Sequence, residues 1–293
     1  MPNLEGKRVL ITGASRGIGR SAAHMLAEDR PHLVLVVRDR ALGEAVKETC
    51  LGRGAASCEL LVGDLSSMKA VRQIAAEYNE RWQDLHVLID NAGALYTDRR
   101  TTEDGLEMTF AVNHLAYFLL TTLLLDVLRA SAPARIVVVA SRAHGRGEIR
   151  WDDLQSERGY WAPRVYGTSK LMNILFTREL ARRLEGTGVT ANSLHPGVIG
   201  SSFGHNNGGL IGALWKLGKP FLMNEDDGAR TTVFLARHPS VEGVTGKYFD
   251  RCKEATPKRA ARDDDAARRL WSVSEEIVAR LGGSRAERVR ART

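Results

Sequence analysis

The sequence predicts an α/β fold: a doubly wound, mostly parallel sheet of seven strands with helices on both faces. Two observations carry this expectation. Short apolar, β-branched runs recur along the 293 residues with helical segments between them, and such alternation implies right-handed βαβ crossovers and a parallel sheet covered on both sides. The first of these runs also passes straight into a glycine-rich turn, TGASRGIG, that opens a helix.

The strands are read in order at KRVLITG, HLVLVVR, CELLVGD, LHVLIDNAG, RIVVVAS and VTANSLHPG, with a last one at VTGKYF. Helical patterns fall at 17–28, 41–49, 68–81, 106–129 and 166–184. No internal repeat, Pro-rich linker or break in composition divides the chain, so 1–281 is read as one domain and 282–293 as a basic, frayed tail. Two connections depart from the rhythm. One, 142–164, contains Trp151, Tyr160 and Trp161; the other, 200–224, is glycine-rich with Trp215, Phe221 and Met223. Long connections in compact domains are often binding loops, so a substrate lid is expected at about 200–225.

Composition narrows the function. The net charge is +7, but the tail GGSRAERVRART carries four Arg against one Glu, and the body shows no basic stripe interleaved with aromatics. Nucleic acid is therefore not an expected partner. The chain opens directly into a strand pattern, and its most apolar stretch, FLLTTLLLDVL, is about half a membrane span. No signal peptide, membrane anchor or transmembrane segment is expected. Cys50, Cys58 and Cys252 show no C-x-x-C spacing and read as packed thiols in a reducing cytoplasm. No metal site is expected.

Gly13, Gly17 and Gly19, with Ser15, Arg16 and Ile18 among them, sit at the first strand-to-helix turn. There the missing side chains let backbone approach a pyrophosphate, and the helix N-terminus offers free N–H groups and a positive dipole end. The spacing is G-x-x-x-G-x-G. The residue ending the second strand selects the nucleotide: an acid would bond a ribose 2′-hydroxyl, whereas an arginine accepts a 2′-phosphate. Arg38 stands there and Arg16 can reach the same place, which favours NADP(H) over NAD(H), although Asp39 follows directly.

Further strand ends carry Asp64 and Leu65, then Asn91, Ala92 and Gly93, then Ser141; Asn113 lies in a helix between them. Ligands in such sheets bind beyond the carboxyl ends of the strands, so these groups should converge on one crevice. Tyr166 and Lys170 stand one helical turn apart in VYGTSKLMNILF. An ammonium at that distance should favour the phenolate and lower the tyrosine pKa from its ordinary value of about 10, bringing it nearer to acid–base use.

With these residues in view, the chain resembles the short-chain dehydrogenase/reductase family in its single-domain Rossmann form. The resemblance runs from TGASRGIG through DNAG, VNH, VVVAS, YGTSK and HPG. RWDDLQSERGYWAPRVYGTSKLMNILFTRELARRL and KEATPKRAARDDDAARRLWSVSEEI look like its retinol-dehydrogenase-like branch. The resemblance implies NADP(H)-linked interconversion of alcohols and carbonyls, with Asn113, Ser141, Tyr166 and Lys170 as the catalytic set. It also implies that Lys170 holds the nicotinamide ribose, that Asn113 anchors a proton-relaying water, and that Pro196, Gly197 and Val198 lie along the nicotinamide.

The chain departs from the family pattern at three places. Asp90 replaces the first of two asparagines, Ala140 stands where a second Ser is common, and Ser201 or Ser202 replaces a Thr near the carboxamide. The expected substrate is a small lipophilic aldehyde, ketone or alcohol. Retinoids fit the branch, and a quinone, steroid or xenobiotic carbonyl fits nearly as well. A rival reading, a non-catalytic dinucleotide sensor, has no need of all four catalytic residues. The helices from Leu106 and Tyr166 resemble those that pair subunits in the family, so a homodimer or homotetramer is expected.

Overall fold

The computed structural model of the protein describes residues 3–197 and 224–282. Val198, Ser201, Ser202, the glycine-rich connection to Met223, and the tail from 283 onward lie outside the described residues.

Strands β1 (Arg8–Thr12), β2 (His32–Val37), β3 (Ser57–Val62), β4 (Val87–Asp90), β5 (Ala134–Val139), β6 (Val189–His195) and β7 (Tyr248–Asp250) fall on the seven predicted runs. They pair in parallel in the order 3-2-1-4-5-6-7. The structure adds an eighth, the two-residue antiparallel β8 (Lys253–Glu254), which pairs with β7. The turn between them uses Arg251 and Cys252, both at positive φ. Without the Asn-Gly pair that usually marks such a turn, the sequence carries little hairpin signal there.

The helices between strands are α1 (Gly17–Ala27), α2 (Arg40–Gly52) and α3 (Met68–Arg81), each close to its predicted span. The predicted helix over 106–129 is instead a chain of pieces. A short α4 (Met108–Phe110) runs into a π-helical turn (Ala111–Leu115), then α5 (Ala116–Leu123) and α6 (Leu125–Ala130). The Tyr166 helix, α7 (Ala162–Arg183), begins four residues earlier than predicted, with Pro163 in its first turn. Proline is well tolerated there because the first-turn N–H groups have no intrahelical partner.

Two helices not read from the sequence complete the layers: α8 (Glu225–Arg237) and α9 (Asp264–Leu281). Asn224 and Asp263 cap them, accepting from the Asp227 and Ala266 amides at 2.7 and 2.9 Å.

One apolar layer packs α3, α5, α7 and α9 against the sheet, and the opposite layer packs α1, α2 and α8. Trp271 of α9 sits 5.0 Å from Phe118 and 5.9 Å from Phe176, ring centre to ring centre, with the Arg183 guanidinium 4.2 Å from its own ring. These aromatic faces of α5 and α7, the helices expected to pair subunits, are thus covered within the chain by α9. Among the described residues no helix is long and apolar enough to cross a membrane. Cys50, Cys58 and Cys252 are free thiols.

The connection 142–164 is organised rather than loose. The nearly buried Asp153 accepts from the Glu157 and Arg158 amides and pairs with Arg150 at 2.9 Å. Trp151 lies under the Arg269 guanidinium (4.4 Å), and the Tyr160 hydroxyl donates to the Tyr96 carbonyl at 2.9 Å. Trp161 alone of its aromatics is mainly exposed.

Candidate active site

The strand order reverses between β1 and β4, and a crevice of about 580 Å³ opens there beyond the carboxyl ends of the strands. Its lining includes Gly13, Ser15, Arg16, Gly17 and Ile18 from the first turn, Arg38 and Asp39 after β2, and Asp64 and Leu65 after β3. Asn91, Ala92 and Gly93 follow from β4, and Tyr166, Lys170 and Pro196 close the far end. The predicted convergence therefore holds for these residues. Gly197 follows Pro196 at positive φ; Gly19, Asn113 and Ser141 are not among the lining residues but touch three that are, Asn91, Gly93 and Tyr166.

The first turn is held against β4 by hydrogen bonds that the sequence does not advertise. The Thr12 hydroxyl donates to the Ile89 carbonyl and accepts from the Asn91 and Ala92 amides at 2.8 and 3.1 Å. The Asn91 side chain returns a bond to the Thr12 carbonyl at 2.8 Å. Asn91 thus shapes the crevice by clamping β1 to β4. Gly13 has φ +65°, and a side chain there would meet the Ala92 Cα at 2.8 Å. Gly19 lets α1 pack close to this clamp, since a Cβ on it would run into the Asn91 amide and the Gly13 carbonyl.

At the end of the crevice nearest β2, Asp39 caps α2, accepting from the Leu42 amide at 3.2 Å. The Arg38 guanidinium instead lies 3.8 Å from Asp64, with both side chains largely in solvent. Arg100 and Tyr96, missed in the sequence, also line this end, the guanidinium 5.2 Å from the Tyr96 ring centre.

Tyr166 and Lys170 share one face of α7, as their spacing predicts. Lys170 is 2 % exposed, and its Nζ donates to the Val139 carbonyl at 3.0 Å while lying 5.7 Å from the Tyr166 ring centre and 5.6 Å from that of Tyr117. Burial lowers its pKa to about 7. The Tyr166 phenol is pushed upward, because desolvation outweighs the hydrogen bond from Ser141 that pulls the other way. The expectation that Lys170 lowers Tyr166 is therefore corrected: both groups lose solvation, and burial shifts each toward its neutral form.

Asn113 is fully buried in the π-helical turn, the kind of helix irregularity that often marks a functional site. Its Oδ1 accepts from the Ala94 amide at 2.8 Å, and its Nδ2 donates to the Ala94 carbonyl and the Ser169 hydroxyl at 2.9 and 3.0 Å. Ser169 in turn donates to the Tyr166 carbonyl at 2.7 Å. Asn113 Oδ1 and Lys170 Nζ converge on the space over Gly93, each 3.4 Å from where a Cβ would stand.

Asp90, the departure from the family pattern, faces the core. It is fully buried, accepts from Thr121 at 2.7 Å, and is raised by desolvation to about 7.

Close packing brings Ser141 to the tyrosine. The 3₁₀ turn Arg142–Arg146 lies on α7 so tightly that a Cβ on Gly167 would stand 2.6 Å from the Ala143 carbonyl. Glycine beside Tyr166 is what allows this approach. The donor set suits a dinucleotide: a helix N-terminus and arginines for phosphates at one end, buried hydroxyl and amine groups at the other. Among the described residues no group of three or more His, Cys, Asp or Glu could hold a metal ion.

Comparisons with known proteins agree with this geometry. The model of the short chain dehydrogenase family matches residues 7–208. Retinol dehydrogenase 14 of Mus musculus is 45% identical over 289 residues, 94% of this chain and 86% of its own. Retinol dehydrogenase 12 of Homo sapiens is 42% identical over 277 residues, 94% and 87% of the two chains. The solved structure of an uncharacterised protein from Mycobacterium Paratuberculosis superimposes with a TM-score of 0.76 at 31% identity, covering 95% of each chain. The Pseudomonas aeruginosa RhlG/NADP active-site complex gives 0.68 at 26%, covering 85% of this chain and 97% of that one. The protein belongs to the short-chain dehydrogenase family of oxidoreductases and is retinol-dehydrogenase-like within it.

Proposed function

We propose that the protein interconverts a lipophilic alcohol and its aldehyde or ketone with NADP(H), using Tyr166 as the acid and base. The observation that carries this reading is that the Tyr166 hydroxyl bonds Ser141 while the Tyr166 ring stands 5.7 Å from Lys170 Nζ, both residues lining the crevice. When bound, the reduced nicotinamide supplies a hydride to the substrate carbon, and its oxidised form takes one back.

In reduction, Tyr166 gives its hydroxyl proton to the substrate oxygen, and Ser141 donates a hydrogen bond to the same oxygen as charge develops on it. The Tyr166 phenolate left behind is reprotonated through Lys170, whose pKa near 7 matches it to proton exchange at neutral pH. Ribose hydroxyls accepting from Lys170 would favour its charged form and strengthen its hold on the phenolate. The space over Gly93, faced by both Asn113 and Lys170, suits a water that continues the relay. Pro196 and Gly197 would border the nicotinamide.

NADP(H) is favoured because Arg16 and Arg38 border the end of the crevice nearest β2 while Asp39 is engaged as a helix cap. The relatives named as retinol dehydrogenases support a lipophilic substrate class.

The test is NADPH consumption with a panel of aldehydes, ketones and quinones that includes all-trans-retinal. Wild-type protein should turn over at least one, and Tyr166→Phe should lose about a thousandfold or more in rate while binding NADPH within about twofold. NADPH binding without turnover of any substrate would support the sensor reading instead.

A further inference from the structure

Ser141 is held by a residue outside the catalytic set. His144, buried at 5 % exposure, closes the turn that begins at Ser141. Its Nδ1 lies 2.6 Å from the Ser141 carbonyl oxygen, and its Nε2 lies 3.2 Å from the Lys258 main-chain nitrogen. A backbone N–H can only donate, so Nε2 must be the bare nitrogen. Nδ1 then carries the hydrogen and gives it to Ser141.

The His144 amide donates to the same carbonyl at 3.1 Å, while the Ser141 hydroxyl accepts from the Ala143 amide at 3.1 Å. The ring meets Tyr248 edge-on at 5.2 Å between centres. On the other side of the turn, the Arg142 amide donates to His195 Nδ1 at 3.3 Å, and Arg142 Nε reaches Asp250 at 2.6 Å. The chain holding Ser141 is thus tied to β6, to β7 and, through His144, to the segment after β8.

We propose that His144, as the neutral Nδ1–H tautomer, is a positioning residue for the reaction: it fixes the Ser141 backbone so that the Ser141 hydroxyl stays on Tyr166 and the substrate oxygen. This inference rests on the roles given above to Ser141 and Tyr166. A second consequence is that the C-terminal segment at Lys258, far from the crevice in sequence, supports the geometry of the catalytic hydroxyl.

The first measurement uses unaltered protein labelled with ¹⁵N-histidine, the His144 signals being identified by their loss in a variant. Nδ1 should be protonated and Nε2 bare at neutral pH; the opposite tautomer or an imidazolium overturns the proposal. The second measurement is a kinetic cycle with NADPH and whichever panel substrate is turned over. His144→Phe keeps the ring but loses both bonds, and should lower kcat about tenfold or more with NADPH affinity unchanged within about twofold. His144→Asn, which can still donate to Ser141, should recover most of that loss.

In a Ser141→Ala background, His144→Phe should cost little further, since the two changes act through one hydroxyl. Additive losses, or equal losses in kcat and NADPH affinity, would assign His144 a purely structural role. Full activity of His144→Phe would also overturn the proposal while leaving the Tyr166 reading intact. A wild-type protein inactive with the whole panel would instead overturn that reading, and this inference with it. Should His144→Phe fail to fold, the tautomer measurement on unaltered protein, with the signals assigned through His144→Asn, can still overturn the proposal.

Discussion

Lys170 Nζ donates to the Val139 carbonyl at 3.0 Å from a position closed to solvent. This contact joins α7 to the carboxyl end of β5 and places an amine where burial holds its pKa at about 7. Between pH 7 and the ordinary lysine value, the unfolded chain keeps a proton that the folded chain has lost. Stability conferred relative to a neutral side chain therefore rises with pH across that window, by up to roughly 1.4 kcal/mol per pH unit. Below pH 7 both states are charged and the dependence vanishes. Urea unfolding of wild type and Lys170→Met from pH 6 to 10 should show wild type gaining stability relative to the variant as pH rises; a difference independent of pH would place the Lys170 pKa elsewhere.

Asn113 carries structure as well as any part in chemistry. Replacing it by Leu would leave the part-buried Ala94 amide and carbonyl without these partners, and an unsatisfied group costs about 1–3 kcal/mol when fully buried. A loss of about 3 kcal/mol in unfolding free energy is expected without cofactor. A loss below about 1 kcal/mol would mean that the loop after β4 holds itself.

Arg16→Ala and Arg38→Ala should each lower kcat/KM for NADPH by about tenfold, the scale of one charge-assisted hydrogen bond. NADH should be affected by less than about twofold. Equal losses with both cofactors would show that neither arginine reads a 2′-phosphate.

Gly167→Ala tests the close approach that delivers Ser141. The new methyl would press on the Ala143 carbonyl and the Gly147 amide at 2.6 and 3.1 Å, forcing the turn away from α7. Overpacking of this kind costs about 1–3 kcal/mol. Turnover should fall while NADPH affinity, whose proposed phosphate contacts lie at the other end of the crevice, is kept. Isothermal titration beside steady-state kinetics separates the two effects.

Much of this is legible along the chain. Seven β-branched runs become seven parallel strands because a strand buried on both faces needs an unbroken apolar run. The glycine turn, Arg38, Asn91, Tyr166 and Lys170 stand out because strand ends converge at the switch in strand order. The caps Asn224 and Asp263, with the buried stripe Ala267, Leu270, Trp271, Ser274, Ile277 and Val278 in α9, are signals for α8 and α9 that were present in the sequence. The broken helix around Asn113 has no comparable signal, since its apolar pattern continues through the π turn.

The sequence by itself determined the alternation of elements, the family and the identity of the groups that gather at the crevice, because those depend on local pattern and spacing. Only the tertiary structure decided their chemistry. The pKa of Lys170 falls, that of Tyr166 rises and Asp90 turns inward because burial sets the cost of charge. The partners that place the site, the Val139 carbonyl and the Lys258 amide, are main-chain groups of a kind found all along the chain. Distance along the sequence gives no hint of which of them will meet Lys170 or His144.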